Sequence, residues 1–281
     1  MYRLARKLLN KVLSPFWRLR EKRRISRFDV APFQSAQEEM FNRLGFDYQA
    51  AQLLTRSILE SKFNSEISQH YVVAAALISQ KGVRSILEIG TQSGNFAAFL
   101  AKLDPEVRVV TVDLPSSDTR YDNATNYWQQ EKTRAGAAEA LVAERTRNLS
   151  RCSNVTFREL NSIELTTMQD AFDLIFVDGD HTFPMVVVDA MNAIRMVGAS
   201  GWILFDDLRP KDGAVSEFGG SETTLLVDLM EQNGILEVFR FHKRLSARRL
   251  VDPIHRKQIA LAKPSFTFRN LKSRDVDEGG R

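Results

Sequence analysis

Five short apolar runs, at residues 83–89, 107–112, 155–160, 172–177 and 202–205, constrain this chain more than any other feature. They are nearly continuous in Val, Ile, Leu and Phe rather than alternating, the pattern of strands covered on both faces. Segments of helical apolar spacing, at 96–103, 136–148 and 186–196, separate most of them. A helix at 223–232 and two further runs at 235–241 and 258–262 bring the expected sheet to seven strands. Strands alternating with helices predict an α/β fold, a Rossmann-like and mostly parallel sheet with helices on both faces. Three of the runs stop at acids: Asp113, Asp178 and the pair Asp206–Asp207. Ligands of open α/β sheets bind beyond the carboxyl ends of the strands, so these acids are expected to line a site.

The first run leads into Leu87-Glu88-Ile89-Gly90-Thr91-Gln92-Ser93-Gly94-Asn95-Phe96. A strand, a glycine turn and a helix start let backbone approach a ligand closely and offer it free N–H groups. Gln92 stands where a dinucleotide fingerprint needs its second glycine, and no G-x-x-x-x-G-K-[ST] run is present. NAD and a Walker-type phosphate site are therefore not expected. Asp113 lies 19 residues past Gly94, where an acid can accept hydrogen bonds from both hydroxyls of a ribose. Taken alone, the loop also reads as a tight strand–helix turn with no ligand.

One connection is longer than such a fold requires: 41 residues, 114–154, join the second and third runs. The helix at 136–148 takes up part of it, and 115–132 is polar and aromatic, with Tyr121, Asn123, Asn126, Tyr127 and Trp128. Long loops inside compact domains tend to be functional, so 115–132 is read as a lid, against the alternative of a solvated surface insertion. Tyr121, Tyr127 and Trp128 would stack on an acceptor. Arg209, with Lys211 and Gly219-Gly220, follows the fifth run and would form the opposite wall.

The net charge of +4 conceals an asymmetry. Residues 1–27 hold ten basic side chains and one acid, a charge of +9, which leaves −5 on the remainder. This is a basic arm on a mildly acidic body, so nucleic acid is not the expected partner. Within the arm Leu4, Leu8, Val12 and Phe16 share one helical face and Arg3, Lys7 and Lys11 another. Three roles fit it: a helix lying on a membrane surface, a helix packed on a sister subunit or on its own body, and a mitochondrial transit peptide. A single cysteine, Cys152, excludes a disulfide framework and a thiolate metal cluster. No apolar run approaches the roughly 20 residues of a membrane span, and a cytoplasmic chain, peripheral at the inner face of a membrane through its arm, is expected.

The glycine turn led by Glu88, with Asp113 downstream, resembles the first motifs of class I S-adenosylmethionine-dependent methyltransferases. The resemblance implies that S-adenosylmethionine is held by Glu88, Gly90, Thr91, Ser93, Gly94 and Asp113, with Asn161 and Ser162 near the adenine and Asp178 at the reacting end. Val177-Asp178-Gly179-Asp180-His181, with Phe205-Asp206-Asp207, is similar to the metal-dependent O-methyltransferases of catechol type and of sugar and macrolide type. In that group one acid after the fourth strand and two acid or amide residues after the fifth hold Mg²⁺. By position these are Asp178, Asp206 and Asp207, with Mn²⁺ as a substitute. Where the catechol type carries a lysine, three residues past the first metal acid, this chain has His181, as the sugar type does. Phe183 follows, where the sugar type usually has tyrosine. His181 is thus the implied general base, beside Asp178. Read without the resemblance, His181 and Asp180 could cap the helix that follows and Asp207 could cap a loop.

The resemblance covers roughly residues 65–263. It implies a methyltransferase domain at 65–264; charge and helical patterning set off an arm at 1–27 and a helical extension at 28–64, and 265–281 reads as a tail without fixed structure. The implied reaction is Mg²⁺-dependent methylation of a hydroxyl on a sugar, glycan or polyhydroxylated natural product. A metal-independent methyltransferase for another small acceptor and a non-catalytic S-adenosylmethionine-binding protein stay open beside it.

Overall fold

The computed structural model describes residues 18–118, 137–209, 221–253 and 256–265. The apolar face of the arm, most of the expected lid with Tyr121, Tyr127 and Trp128, the wall residues Lys211 and Gly219-Gly220, and nearly all of the tail lie outside them.

Seven strands form one sheet: β1 (Ser85–Ile89), β2 (Arg108–Asp113), β3 (Val155–Glu159), β4 (Phe172–Val177), β5 (Val197–Leu208), β6 (Leu236–His242) and β7 (Gln258–Pro264). Their order across the sheet is β3-β2-β1-β4-β5-β7-β6. Strands β1 to β5 pair in parallel, while β7 is antiparallel to both of its neighbours. The sheet expected from the apolar runs is therefore the sheet found, with one reversed strand.

Helices cover both faces. On one side lie α1 (Ala31–Arg43), α2 (Tyr48–Leu59), α3 (His70–Lys81) and α4 (Asn95–Leu103), sharing a core with Ile86, Val109, Leu174, Phe176 and Leu204 of the sheet. Next to α4 is α5 (Ala137–Leu149), whose Leu149 packs on that core. On the other side α6 (Met185–Met196) and α7 (Ser221–Gln232) cover Leu87, Ile175, Ile203 and Phe205. A one-turn helix, α8 (Ala247–Leu250), follows β6. Val72 to Ile78 of α3 are all buried, because that helix lies between the sheet and α2. Among the described residues no helix is long and apolar enough to cross a membrane.

Two boundaries differ from the sequence reading. In sequence Asn64 or Ser65 can cap a helix over about 66–80, but α3 starts at His70. Asn64 Oδ1 accepts from the Glu66 N–H at 2.8 Å and closes a turn instead. The Gln69 N–H then donates to the Lys243 carbonyl at 2.8 Å, which fixes the helix entry against the end of β6. β5 was expected to span 202–205, but it begins at Val197 and runs through Asp206 and Asp207 to Leu208. Gly198, Ser200 and Gly201 read as a turn in sequence. In the fold a Cβ on Gly201 would stand 3.0 Å from the Phe172 and Asp173 carbonyl oxygens, so the absent side chain is what lets β5 lie beside β4.

Residues 28–64 are part of the main core rather than an appendage. The Phe41 ring meets Tyr48 at 4.7 Å, Phe241 of β6 at 5.2 Å and Phe46 at 5.9 Å between centroids. Gln37 Oε1 accepts from the His242 N–H at 3.0 Å. The helical segment 18–26, the carboxyl half of the basic arm, reaches the body through Arg24, whose Nη2 donates to the Val251 carbonyl at 2.7 Å. Phe41 is fully buried, and truncating a buried Phe costs about 3–5 kcal/mol. Urea unfolding of Phe41→Ala should show a loss of that size; a loss below about 1 kcal/mol would mean the extension is only loosely attached.

Candidate active site

The site is built where β1, β2, β4 and β5 end. Glu88, on β1, is 1 % exposed and lies beneath the turn that follows. Thr111 Oγ1 donates to Glu88 Oε2 at 2.5 Å, and the Thr91 and Thr111 hydroxyls are 2.6 Å apart. Since Thr111 spends its proton on Glu88, the bond between the hydroxyls runs from Thr91 to Thr111. Burial pushes the Glu88 carboxyl well above the ordinary carboxylate range; the Thr111 hydrogen bond opposes this, and the charges of Asp178 and Asp113 add to it.

Gly90 turns the chain with φ +102°, a conformation that L side chains rarely adopt. A Cβ there would stand 2.2 Å from the Asp178 carbonyl oxygen. The turn is thus pressed against the end of β4, and the glycine serves this backbone contact as well as any ligand. Gln92 has φ +47°, and its N–H donates to Asp113 Oδ2 at 2.8 Å. Leu114 N–H donates to Asp113 Oδ1 at 2.9 Å, and Arg145 Nη1 of α5 lies 3.4 Å from Oδ2. Arg145 also meets Glu159 at 3.5 Å and sits 4.3 Å from the Phe157 ring centroid. A carboxylate offers about four acceptor sites, so Asp113 keeps capacity for a ribose hydroxyl. The residues present therefore fit S-adenosylmethionine: a strained turn with close backbone, and an acid with spare lone pairs at the end of β2.

Asn161 and Ser162 begin a 3₁₀ turn, Ser162–Thr167. Asn161 Oδ1 accepts from the Ile163 N–H at 3.1 Å, and Glu164 Oε1 accepts from the Asn161 N–H at 2.9 Å. The Asn161 side chain is committed to this cap. Ser93 Oγ accepts from Asn95 Nδ2 at 2.6 Å. Arg209 enters through its backbone, whose N–H donates to Thr224 Oγ1 of α7 at 2.8 Å.

Asp178 and His181 do meet. His181 Nε2 lies 3.4 Å from Asp178 Oδ1, and its Nδ1 lies 3.4 Å from Thr223 Oγ1 of α7. Neither His181 nor Asp180 caps the helix that follows: Asp180 Oδ1 accepts from both the N–H and the hydroxyl of Thr182 and closes a turn ahead of α6, whose N-cap is Pro184 with no side-chain cap. Burial, then the Asp206 charge, push Asp178 up to about 7, against the pull of His181 and Lys243. Burial alone would lower His181, but its hydrogen bond to Asp178 and the charges of Asp178, Asp207 and Asp206 hold it above the ordinary imidazole value.

The three acids assigned by resemblance to Mg²⁺ or Mn²⁺ do not assemble as an ion site. Among the described residues no group of three His, Cys, Asp or Glu side chains is placed to hold a metal. Lys243 Nζ instead donates to Asp206 Oδ2 and to Asp207 Oδ1, and Lys257 Nζ donates to Asp207 Oδ2. Asp206 and Asp207 are 2 % and 3 % exposed, and Asp207 has φ +57°. Burial would raise both carboxyls, but the lysine charges hold both below the ordinary range. A divalent ion could reach this pair only by expelling a buried ammonium. The residues present therefore do not fit the metal expected at Asp178, Asp206 and Asp207, because Asp206 and Asp207 are already paired with lysines of the same chain.

Sequence reasoning missed Lys243, Lys257 and Arg145. The signal for the lysines lay in the run His242-Lys243 after the sixth apolar run and Lys257 before the seventh. A reversed last strand brings both positions to the edge where β5 ends, and periodicity carries no strand direction.

This topology, with a glycine turn after β1 and an acid at the end of β2, is that of the class I S-adenosylmethionine-dependent methyltransferases. Residues 87–208 match a family described as a methyltransferase domain, and that stretch, from β1 to the end of β5, is a methyltransferase domain. No curated protein matches the sequence. Among solved structures, cofactor-bound Rv0187 from MTB aligns at 19% identity over 77% of this chain and 88% of its own, with a TM-score of 0.51. The O-methyltransferase TomG from Streptomyces achromogenes, involved in tomaymycin synthesis and solved with SAM, aligns at 15% identity over 84% of this chain and 99% of its own, also with a TM-score of 0.51. At such identities the likeness is one of fold.

Two measurements separate the roles of the turn. Gly90→Ala should lower stability by at least about 1–3 kcal/mol, through strain and the clash with Asp178, as read by thermal unfolding without ligand. Asp113→Ala should stay folded and bind S-adenosylhomocysteine more weakly by about 1.5–3 kcal/mol per lost hydrogen bond, as read by calorimetry. Unchanged affinity would remove Asp113 from the cofactor site.

Glu88 adds a pH test. The folded chain holds its proton more tightly than the unfolded chain, so ionisation costs stability. That cost is absent below the ordinary carboxylate pKa and grows as pH rises through the folded value. Relative to wild type, Glu88→Gln should therefore gain stability steadily with rising pH; a gap in melting temperature that stays flat with pH would contradict the buried-acid assignment.

Proposed function

We propose that this methyltransferase acts on oxygen, at a hydroxyl of a sugar, glycan or polyhydroxylated natural product, with His181 as the general base. The observation that carries this reading is the Asp178–His181 pair beside the turn that fits the cofactor. When bound, S-adenosylmethionine supplies an electrophilic methyl group on a sulfonium, which an acceptor oxygen takes as its hydroxyl proton leaves.

Asp178 accepts from His181 Nε2–H and sets the tautomer, which leaves Nδ1 to receive the acceptor's proton. Thr223 Oγ1 lies 3.4 Å from Nδ1, and an acceptor hydroxyl would replace it at that nitrogen. The neighbouring acids raise the basicity of His181 and stabilise the imidazolium once it forms. Asp206 and Asp207 stay ionised through their lysines, so the charged groups beside His181 are fixed in place. The acceptor class rests on the aromatic content of 115–132, where Tyr121, Tyr127 and Trp128 suit stacking on a sugar face, and on Arg209, which follows β5. The tight lysine pairing favours metal-independent transfer, and no step here passes through a metal.

His181→Ala should lower kcat by roughly 10²–10⁴-fold while S-adenosylhomocysteine affinity stays near wild type. The readout is methyl transfer from labelled S-adenosylmethionine to a panel of glycosides and polyols. Normal turnover by a folded His181→Ala enzyme would take His181 off the catalytic list and leave the methyltransferase fold untouched.

A further inference from the structure

Building on the methyl-transfer reading above, we propose that the ammonium of Lys243 is the resident cation of this site, standing between Asp206 and Asp207 in place of a divalent ion. Its position follows from topology. Because β7 runs antiparallel, the carboxyl end of β6 and the amino end of β7 lie at the edge where β5 delivers its acids. The Lys243 N–H donates to the Lys257 carbonyl at 2.8 Å, just past the last register pair, His242 and Gln258. The Lys243 carbonyl accepts from the Gln69 N–H at 2.8 Å, so its backbone is held on both sides before the side chain enters the site.

The chemistry follows from burial. The Lys243 side chain is 12% exposed, against 2% and 4% for the carboxylates of Asp206 and Asp207. An ammonium so placed persists only when paired, and two of its three donors go to these acids. The charge balance of the pair closes without help: two carboxylates, Asp206 and Asp207, face two ammoniums, Lys243 and Lys257. A divalent ion added to that set would leave it two charges positive. Mg²⁺ also demands an octahedron of oxygen ligands at about 2.0–2.1 Å, whereas a lysine satisfies the same two acids with directed N–H donors.

Lys243 acts here as a positioning residue. It fixes the Asp206–Asp207 turn, including the left-handed backbone of Asp207, beside Asp178 and His181. One consequence concerns substrate. An ion orients an acceptor by chelating two neighbouring hydroxyls, whereas this site needs only one hydroxyl within reach of His181. A lone hydroxyl is then as acceptable as a diol.

Titration of the full-length chain with Mn²⁺, followed by electron paramagnetic resonance, tests the assignment without knowledge of the acceptor. Wild type should leave the free-ion signal undiminished. Lys243→Gln, which keeps the size of the side chain and removes its charge, should take up Mn²⁺ at least about tenfold more tightly than wild type. The double variant Lys243→Gln, Asp206→Asn should lose that uptake. Mn²⁺ uptake by wild type that Asp206→Asn abolishes would overturn the proposal. Failure of Lys243→Gln to gain uptake would overturn it too, since the lysine would then be standing in for nothing. Calorimetry of S-adenosylhomocysteine on the same wild-type sample keeps the two readings apart: cofactor binding tests methyl transfer, whatever Mn²⁺ does.

Discussion

Two adjacent carboxylates at the buried end of a central strand cannot both stay ionised unless cations sit on them. In this chain Lys243 and Lys257 meet that condition for Asp206 and Asp207, and much else is arranged around it. The lysines reach the acids because β7 is reversed and inserted between β5 and β6. The backbone of Lys243 is pinned by the residue before α3, so the helix that carries the largest share of one core also fixes the cation. Removing one partner from such a buried set costs about 3–5 kcal/mol, because the others remain as uncompensated charges. The electrostatics of the site and the stability of the fold are thus one problem with one solution.

The cofactor side of the site obeys a different constraint, close packing of backbone. Gly90 lies against the carbonyl of Asp178, and the turn it begins is stitched to β2 by the Thr91–Thr111–Glu88 ladder and by the Gln92 N–H on Asp113. β1, β2 and β4 therefore converge on a single rigid turn. A pocket made of backbone and short hydroxyls has few rotamers to lose when a ligand arrives, which favours tight binding of a small cofactor.

Much of this was legible in the sequence. The run at 172–177 is reproduced to the residue as β4, with Leu174–Val177 an unbroken apolar stretch between Asp173 and Asp178. The glycine turn, Asp113 and the Asp178–His181 spacing were equally visible, because each depends on neighbours close in sequence or on strand ends. The start of β5 was hidden by Gly198 and Gly201, which are turn residues by propensity but sit in a strand because β4 crowds them. The lysines were hidden for a deeper reason. Their partners lie 36 to 50 residues away, across a strand whose direction the apolar pattern does not encode. Metal ligation was implied by a resemblance carried by the acids, and acids do not by themselves say which cation answers them.

The Arg145 contact has a further consequence. Asp113 stands where the chain leaves β2 for the long connection, and Arg145 stands on the helix by which the connection returns. The two roots of that excursion are joined to each other beneath the cofactor turn. Whatever lies between them can change length or composition at little more than the entropy of closing a loop, about 0.6 kcal/mol for each doubling. The intervening segment could thus be exchanged for another while the Asp113–Arg145 contact and the glycine turn above it stay as they are.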